Sequence, residues 1–157
     1  MERNKKYISV DEALIKLQAY CVYQDRCHEE VKTKLISLGI YGDSIEQIMA
    51  RLIEDNFLNE ERFACSYARG KFRFKQWGRI RIKQELQMRR ISEYCVRKAM
   101  NEIENEAYQA TILQLFERKR NSTNPPDNDI ELVQSVLRKG FEADIVWQTL
   151  KDSRQNG

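Results

Sequence analysis

Apolar residues along this chain follow a pattern that repeats. Sliding the chain by 51 and then by about 50 residues superimposes Val31 on Ile82 and Leu132, Leu35 on Leu86 and Val136, and Ile40 on Ile91 and Phe141. The match continues with Ile45 on Val96 and Val146, and Met49 on Met100 and Leu150. Five apolar positions recurring three times are not a chance agreement in a chain that is 41% apolar. Self-similarity at this period is the signature of tandem supersecondary units.

Punctuation residues keep the same register. Cys27, Gly78 and Asn128 fall where a helix begins, and Gly39 and Gly140 fall where it ends, glycine closing a helix in the left-handed conformation that a Cβ disfavours. The middle copy has Arg90 at that closing position and is expected to be mildly strained. Further start signals are Ser9 with Glu12, Asp43 with Glu46, Asn59 before Glu60 and Glu61, and Ser92 with Glu93. Together these predict helices near 10–24, 28–38 and 44–55, then 60–75, 79–89 and 93–104, then 106–120, 129–139 and 143–151. The expected fold is all-α: three tandem three-helix repeats, at 9–56, 57–104 and 105–152, forming an elongated curved body. Lys71-Phe72-Arg73-Phe74-Lys75 alternates with the period of a strand, but a lone short strand has no partner here, so the segment is read as the end of a helix, with Gly70 a candidate bend.

Composition agrees. Six glycines and two adjacent prolines, Pro125 and Pro126, supply too little turn chemistry for a sandwich or barrel, and 157 residues allow one domain or a short helical array. No apolar run approaches the roughly 18 residues that a membrane span needs, and Met1 to Lys6 lead into a charged amphipathic segment, so a cytoplasmic protein without a membrane span is expected. Cys21, Cys27, Cys65 and Cys95 are scattered and read as reduced thiols; Cys27 beside His28 is the one metal-like neighbourhood, but adjacent helical residues point about 100° apart.

Charge changes the picture. Between Arg62 and Arg90 stand ten Lys or Arg against Glu85 alone, a net of +9, while the rest of the chain is acidic at −6. A cationic centre between acidic flanks predicts one face for a polyanion or an acidic protein surface. Tyr67, Phe72, Phe74 and Trp77 are interleaved with these cations, as in sequence-tolerant single-strand binders. Aromatics at helical spacing belong by preference to a core, which claims Phe72 and Phe74 and leaves Trp77 open to either role. Catalysis finds little support: there is one histidine, the pairs Glu29-Glu30 and Glu60-Glu61 sit at helix starts, and no phosphate loop, nucleophile elbow or paired-histidine zinc motif occurs. No cofactor or metal is expected.

Phe57-Leu58-Asn59-Glu60-Glu61-Arg62-Phe63-Ala64, then Trp77-Gly78-Arg79-Ile80-Arg81-Ile82-Lys83-Gln84-Glu85-Leu86, closing with Arg90-Ile91-Ser92, resembles the central signature of the RecX family of recombination regulators. The resemblance extends from about Ser9 to Leu150. It implies three tandem three-helix repeats and a non-enzymatic modulator that lies in the groove of the RecA filament and inhibits its ATPase, strand-exchange and co-protease activities. Single-stranded DNA is a second implied partner, and a long exposed face suits a monomer. By position, the resemblance assigns partner contact to Arg69, Lys71, Arg73, Lys75, Arg79, Arg81 and Lys83, with Trp77 beside them, and packing to Phe57, Phe63, Ile82, Leu86 and Ile91. Arg90 departs from the family's Lys-Gly-Ile ending. The alternative is a DNA-binding helical protein acting without RecA, using 79–89 or 93–104 in the manner of a helix-turn-helix.

Overall fold

The computed structural model describes residues 8–156, so Met1 to Lys6 lie outside the described residues. Those described form nine α-helices and no strand: α1 (Val10–Tyr23), α2 (His28–Ser37), α3 (Asp43–Glu54), α4 (Glu60–Lys75), α5 (Arg79–Met88), α6 (Glu93–Met100), α7 (Asn105–Arg120), α8 (Asp129–Leu137) and α9 (Ala143–Gln155). Four helices start on a side-chain cap: Ser9, Asn59, Ser92 and Asn128 each accept the backbone N–H three residues on, at 3.1, 2.9, 3.3 and 2.9 Å. Each cap of this kind stabilises by about 1 kcal/mol. Gly42, not Asp43, is the cap of α3, and Asp43 falls in its first turn. The 71–75 alternation is the last turn of α4.

Two ends differ from the sequence expectation. α6 stops at Met100 because Glu102 and Ile103 turn back in tight bonds to Ala99 and Met100 carbonyls, which carries Ile103 into the core. α9 runs on to Gln155, where the Arg154 guanidinium grips the Asp129 carboxylate of α8.

Helix-on-helix packing occurs inside triplets, α1–α3, α4–α6 and α7–α9. Of the fifteen apolar positions that define the period, thirteen are buried, and Met49 and Met100 are partly so. The first helices add three more sets: Ala13, Ala64 and Tyr108; Leu17, Ala68 and Ile112; Cys21, Phe72 and Phe116, all buried. In the third triplet these sit 44 rather than 50 residues on, and the loop between α7 and α8 takes up the difference. An accessible surface of 10673 Å² exceeds the about 8,300 Å² expected of a compact monomer of this mass, as a linear stack requires.

The two junctions between triplets differ. The first triplet keeps a separate core around Leu17, Leu35 and Leu52, whereas the second and third share one through Phe72, Tyr108 and Phe141. At their seam the start of α5 lies on the turn between α8 and α9: Gly78 N–H donates to Lys139 O at 2.8 Å and Ile80 N–H to Gly140 O at 3.0 Å. A Cβ on Gly78 would stand 2.3 Å from Gly140 backbone. The first junction is more polar, with Asp25 accepting from Arg62 Nε and Ser66 Oγ, each at 2.9 Å. Arg90 occupies the left-handed region at φ 58°, beside Gly39 at +84° and Gly140 at +94° in the equivalent turns. Without glycine that conformation costs about 1 kcal/mol.

Candidate partner-binding surface

The geometry of α5 decides how the cations are displayed. Ile82 and Leu86 are its buried stripe, and at about 100° per residue Arg81, Glu85 and Arg89 fall on one flank of that stripe while Lys83 and Gln87 fall on the other. The basic run therefore divides between two sides of one helix.

On the first flank, cations are held by aromatic faces. The Arg81 guanidinium lies 4.0 Å from the Trp77 ring centre, Lys71 Nζ lies 4.9 Å from the same ring and 5.4 Å from Tyr67, and Arg89 lies 4.8 Å from Tyr67. Such contacts contribute about 0.5–1 kcal/mol each at exposed sites. They order the cations without neutralising them, and among the described residues neither Lys71 nor Arg81 has a carboxylate within 4 Å. Only Arg89 pairs, with Glu85 at 3.1 Å. Burial raises the Tyr67 phenol above its ordinary range, and Arg89 pulls it back in part.

The ribbon continues across the seam. Arg118 of α7 donates to Gln76 Oε1 at 2.7 Å, beside Trp77. Arg81 rises directly against Gly140, where its Cβ is 2.4 Å from the point a Cβ on Gly140 would occupy, so it stands next to Lys139. The Lys139 ammonium is pushed below the ordinary lysine range, first by burial and then by the Arg118 and Arg81 charges. Arg89, Lys71, Arg81, Lys139 and Arg118 thus form one cationic ribbon over Tyr67 and Trp77. At its other end it borders a groove of about 620 Å³ whose opposite wall carries Asp25 and Glu30 of the first triplet.

Of the eight residues singled out in sequence, Lys71, Trp77 and Arg81 come together on this ribbon. Arg73 and Lys75 are exposed at the end of α4, and Arg69 is held by Glu102 at 3.1 Å. Lys83 faces a different cleft, about 370 Å³, with Tyr94, Arg97 and Lys98 of α6. Arg79 braces the seam: its guanidinium is 4.0 Å from the Tyr108 ring and donates to Ile103 O and Asn105 Oδ1 at 3.1 and 2.8 Å. It also lies 3.7 Å from Glu142, which accepts the Tyr108 hydroxyl, while Arg79 N–H donates to that same hydroxyl at 3.0 Å.

Phe72 is buried, but Phe74 is 85% exposed, which corrects its reading as core: residues i and i+2 of a helix point about 200° apart and cannot share a face. Phe63, Ile82, Leu86 and Ile91 are buried, and Phe57 packs partly buried on the first core. Arg118 and Lys139 were not found by sequence reasoning. Lys139 had a signal, since the repeat register places it on Arg89; Arg118 had none at that period, because α7 is displaced by six residues.

Burial raises the Cys27 thiol to about 11, and Cys21 and Cys65 are raised by the same cause, the chemistry of unreactive thiols. No group of three His, Cys, Asp or Glu that could hold a metal occurs among the described residues, and no described helix is long and apolar enough to cross a membrane.

This architecture defines a class: a helical-repeat body displaying a preformed cationic surface on rigid elements. Comparison with known proteins narrows the class. Residues 59–100 match the family described as RecX, second three-helix domain. Regulatory protein RecX of Bacillus mycoides (strain KBAB4) is 23% identical over 153 residues, covering 94% of this chain and 57% of that protein. The Bacillus cytotoxicus protein of the same name is 24% identical over 149 residues, covering 93% and 55%. The chain therefore spans little more than half the length of these curated relatives. The crystal structure of RecX from Lactobacillus salivarius superposes with a TM-score of 0.80 at 26% identity, covering 91% of this chain and 95% of that one. A second crystal structure, of regulatory protein RecX, gives a TM-score of 0.75 at 24% identity and supports the fold. Residues 59–100 thus match the RecX second three-helix domain, and the chain as a whole is similar to RecX proteins in sequence and fold.

Proposed function

We propose that this protein binds RecA nucleoprotein filaments in the cytoplasm and restrains their recombinase, ATPase and co-protease activities during DNA repair and the SOS response. It acts as a monomer, without cofactor and without making or breaking a bond. The units 9–56, 57–104 and 105–152 serve as successive modules laid along the filament. The observation that carries this reading is the ribbon: cations ordered on Tyr67 and Trp77, uncompensated at Lys71 and Arg81, and mounted on helices whose mutual positions a shared core fixes. Uncompensated like charges repel, by a few tenths of a kcal/mol per neighbouring pair, and an acidic or phosphate-bearing partner removes that cost. Of the eight residues, Lys71, Trp77 and Arg81 make the primary contact, Arg73 and Lys75 extend it, and Arg79 acts by holding the seam.

The test is ATP hydrolysis by RecA filaments on single-stranded DNA with stoichiometric protein. Wild type slows hydrolysis, and the pair Lys71→Glu, Arg81→Glu abolishes the slowing while retaining helical content. Hydrolysis unaffected by wild type overturns the reading. The second reading, a DNA-binding protein independent of RecA, draws on the cleft where Lys83 of α5 faces Tyr94, Arg97 and Lys98 of α6 across a helix-turn-helix. Equal binding to bare DNA and to filaments, lost in Lys83→Glu and kept in Lys71→Glu, favours it.

A further inference from the structure

The seam between the second and third triplets brings together cations from three elements distant in sequence. Arg81 comes from α5, Arg118 from α7 and Lys139 from the turn between α8 and α9. Their positions are fixed from below. Gly78 N–H and Ile80 N–H bind the Lys139 and Gly140 carbonyls, which holds the Lys139 backbone against the start of α5. Gly140 lets Arg81 rise in contact with it, and Gln76 Oε1 anchors Arg118 at 2.7 Å. The Trp77 ring, 4.0 Å away, supports the Arg81 guanidinium.

None of the three cations has a carboxylate within 4 Å among the described residues. The Arg79 N–H donates to the Tyr108 hydroxyl, so the first three N–H groups at this end of α5 are already engaged, and the site is made by side chains. Two planar guanidinium forks and one ammonium gathered at this seam without an acid match a tetrahedral oxyanion, which presents several acceptor oxygens and at least one negative charge. A planar carboxylate would engage one fork and leave the others repelling.

We propose that Arg81, Arg118 and Lys139 form a phosphate-group site that straddles the seam, so that its occupant ties the second triplet to the third. This rests on reading the ribbon as a surface facing polyanions, and it names the chemistry taken at one end of that surface. The phosphate group comes either from a nucleic-acid backbone or from a free phosphoanhydride. Unfilled, the site sets three positive charges against one another across the seam, and their repulsion adds to burial, the larger cause, in lowering the Lys139 proton affinity. Filled, it adds bonds to both sides.

The experiment uses the full chain and two probes at constant ionic strength: inorganic pyrophosphate and a short oligothymidylate. Thermal unfolding and tryptophan fluorescence are followed. An occupant that binds only the folded protein raises the melting temperature with its concentration. Wild type shows that saturable rise, the Arg118→Gln, Lys139→Gln variant shifts its midpoint at least tenfold, and the charge-matched control Lys16→Gln, Lys32→Gln, which alters two exposed lysines of the first triplet, behaves as wild type. The charge-preserving variant Arg118→Lys, Lys139→Arg restores the response, which separates lost charge from lost folding. For the oligonucleotide, the double-logarithmic salt slope falls by about 0.7 per phosphate no longer contacted.

A response to both probes identifies a nucleic-acid source, and a response to pyrophosphate alone identifies a free one; both support the site. No response of wild type to either probe, or a Gln variant that responds as wild type does, overturns it. Neither arm contains RecA. Failure of the site therefore leaves filament ATPase slowing intact, and failure of the filament reading leaves the phosphate response intact.

Discussion

Gly78→Ala tests the seam with the smallest available perturbation. Gly78 has φ −78° and ψ 168°, a conformation every L-residue adopts, so alanine introduces no backbone strain. The cost is purely steric. The added methyl would lie 2.3 Å from the Gly140 carbonyl carbon and oxygen and 2.4 Å from Phe141 N, all backbone atoms that cannot rotate aside. Relief requires α5 to back away from the turn before α9, which stretches the bonds from Gly78 to Lys139 and from Ile80 to Gly140. Overpacking of this kind costs about 1–3 kcal/mol, and each backbone bond weakened adds about 1 kcal/mol. The expected loss, about 3 kcal/mol on those figures, is read by urea unfolding followed by circular dichroism. Because the second and third triplets share one core through this contact, the single transition should also broaden or split, as nearest-neighbour coupling in a repeat array weakens. Gly70→Ala is the control. It lies mid-helix in α4 with nothing within 4 Å of where its methyl would stand, so it should stabilise by about 0.5–1 kcal/mol. Equal, small effects of the two substitutions would refute the close-packed seam.

Tyr108→Phe removes the hydroxyl that binds both Arg79 N–H and Glu142 while keeping the ring against Phe72 and Phe141; a loss of about 1–3 kcal/mol in the same assay is expected, the cost of stranding part-buried partners. Asn59→Ala should cost about 1 kcal/mol through the lost cap of α4, and Asn59→Ser should recover most of it. Stability should fall as pH rises from the ordinary thiol value of 9.0 towards about 11, because the buried Cys27 keeps its proton in the folded chain after the unfolded chain has released it. Thermal melts of Cys27→Ala across that range should show a shallower decline than wild type, and an identical decline would dismiss the thiol as its source.

The repeat was legible because burial is enforced at the same positions in every triplet. Where apolar residues recur in the repeat register, the structure buries them, Met49 and Met100 only in part, and the caps at Ser9, Asn59, Ser92 and Asn128 open helices as their side-chain oxygens predict. Charge density alone could not divide the surface. Arg79, Arg81 and Lys83 alternate in sequence, and on a helix each such two-residue step turns the side chain by about 200°. One step of that alternation therefore carries the chain from the Tyr108 brace to the Trp77 face, and the next carries it to the cleft beside α6. Phe74 departs from Phe72 for the same reason. Arg118 was illegible on different grounds, since its nearness to Gln76 comes from stacking one triplet on another.

The two junctions give the ribbon different mechanical settings along its length. Towards the third triplet it crosses a seam closed by backbone bonds and a shared aromatic core, where cation positions are fixed before any partner arrives. Preorganisation of this kind avoids ordering costs of about 0.5–1.5 kcal/mol per long side chain on binding. Towards the first triplet it meets a groove lined by Asp25 and Glu30, at a junction where Asp25 grips Arg62 and Ser66 and the few apolar residues that cross are Cys27 on one side and Phe57 and Leu58 on the other. That contact is polar and partly exposed, so salt weakens it more than it weakens a seam closed by backbone bonds and a shared aromatic core. The first triplet should therefore separate first as ionic strength rises. Hydrogen exchange read module by module should show protection of α1–α3 falling with salt while α4–α9 keep theirs, and uniform loss across all nine helices would contradict the distinction.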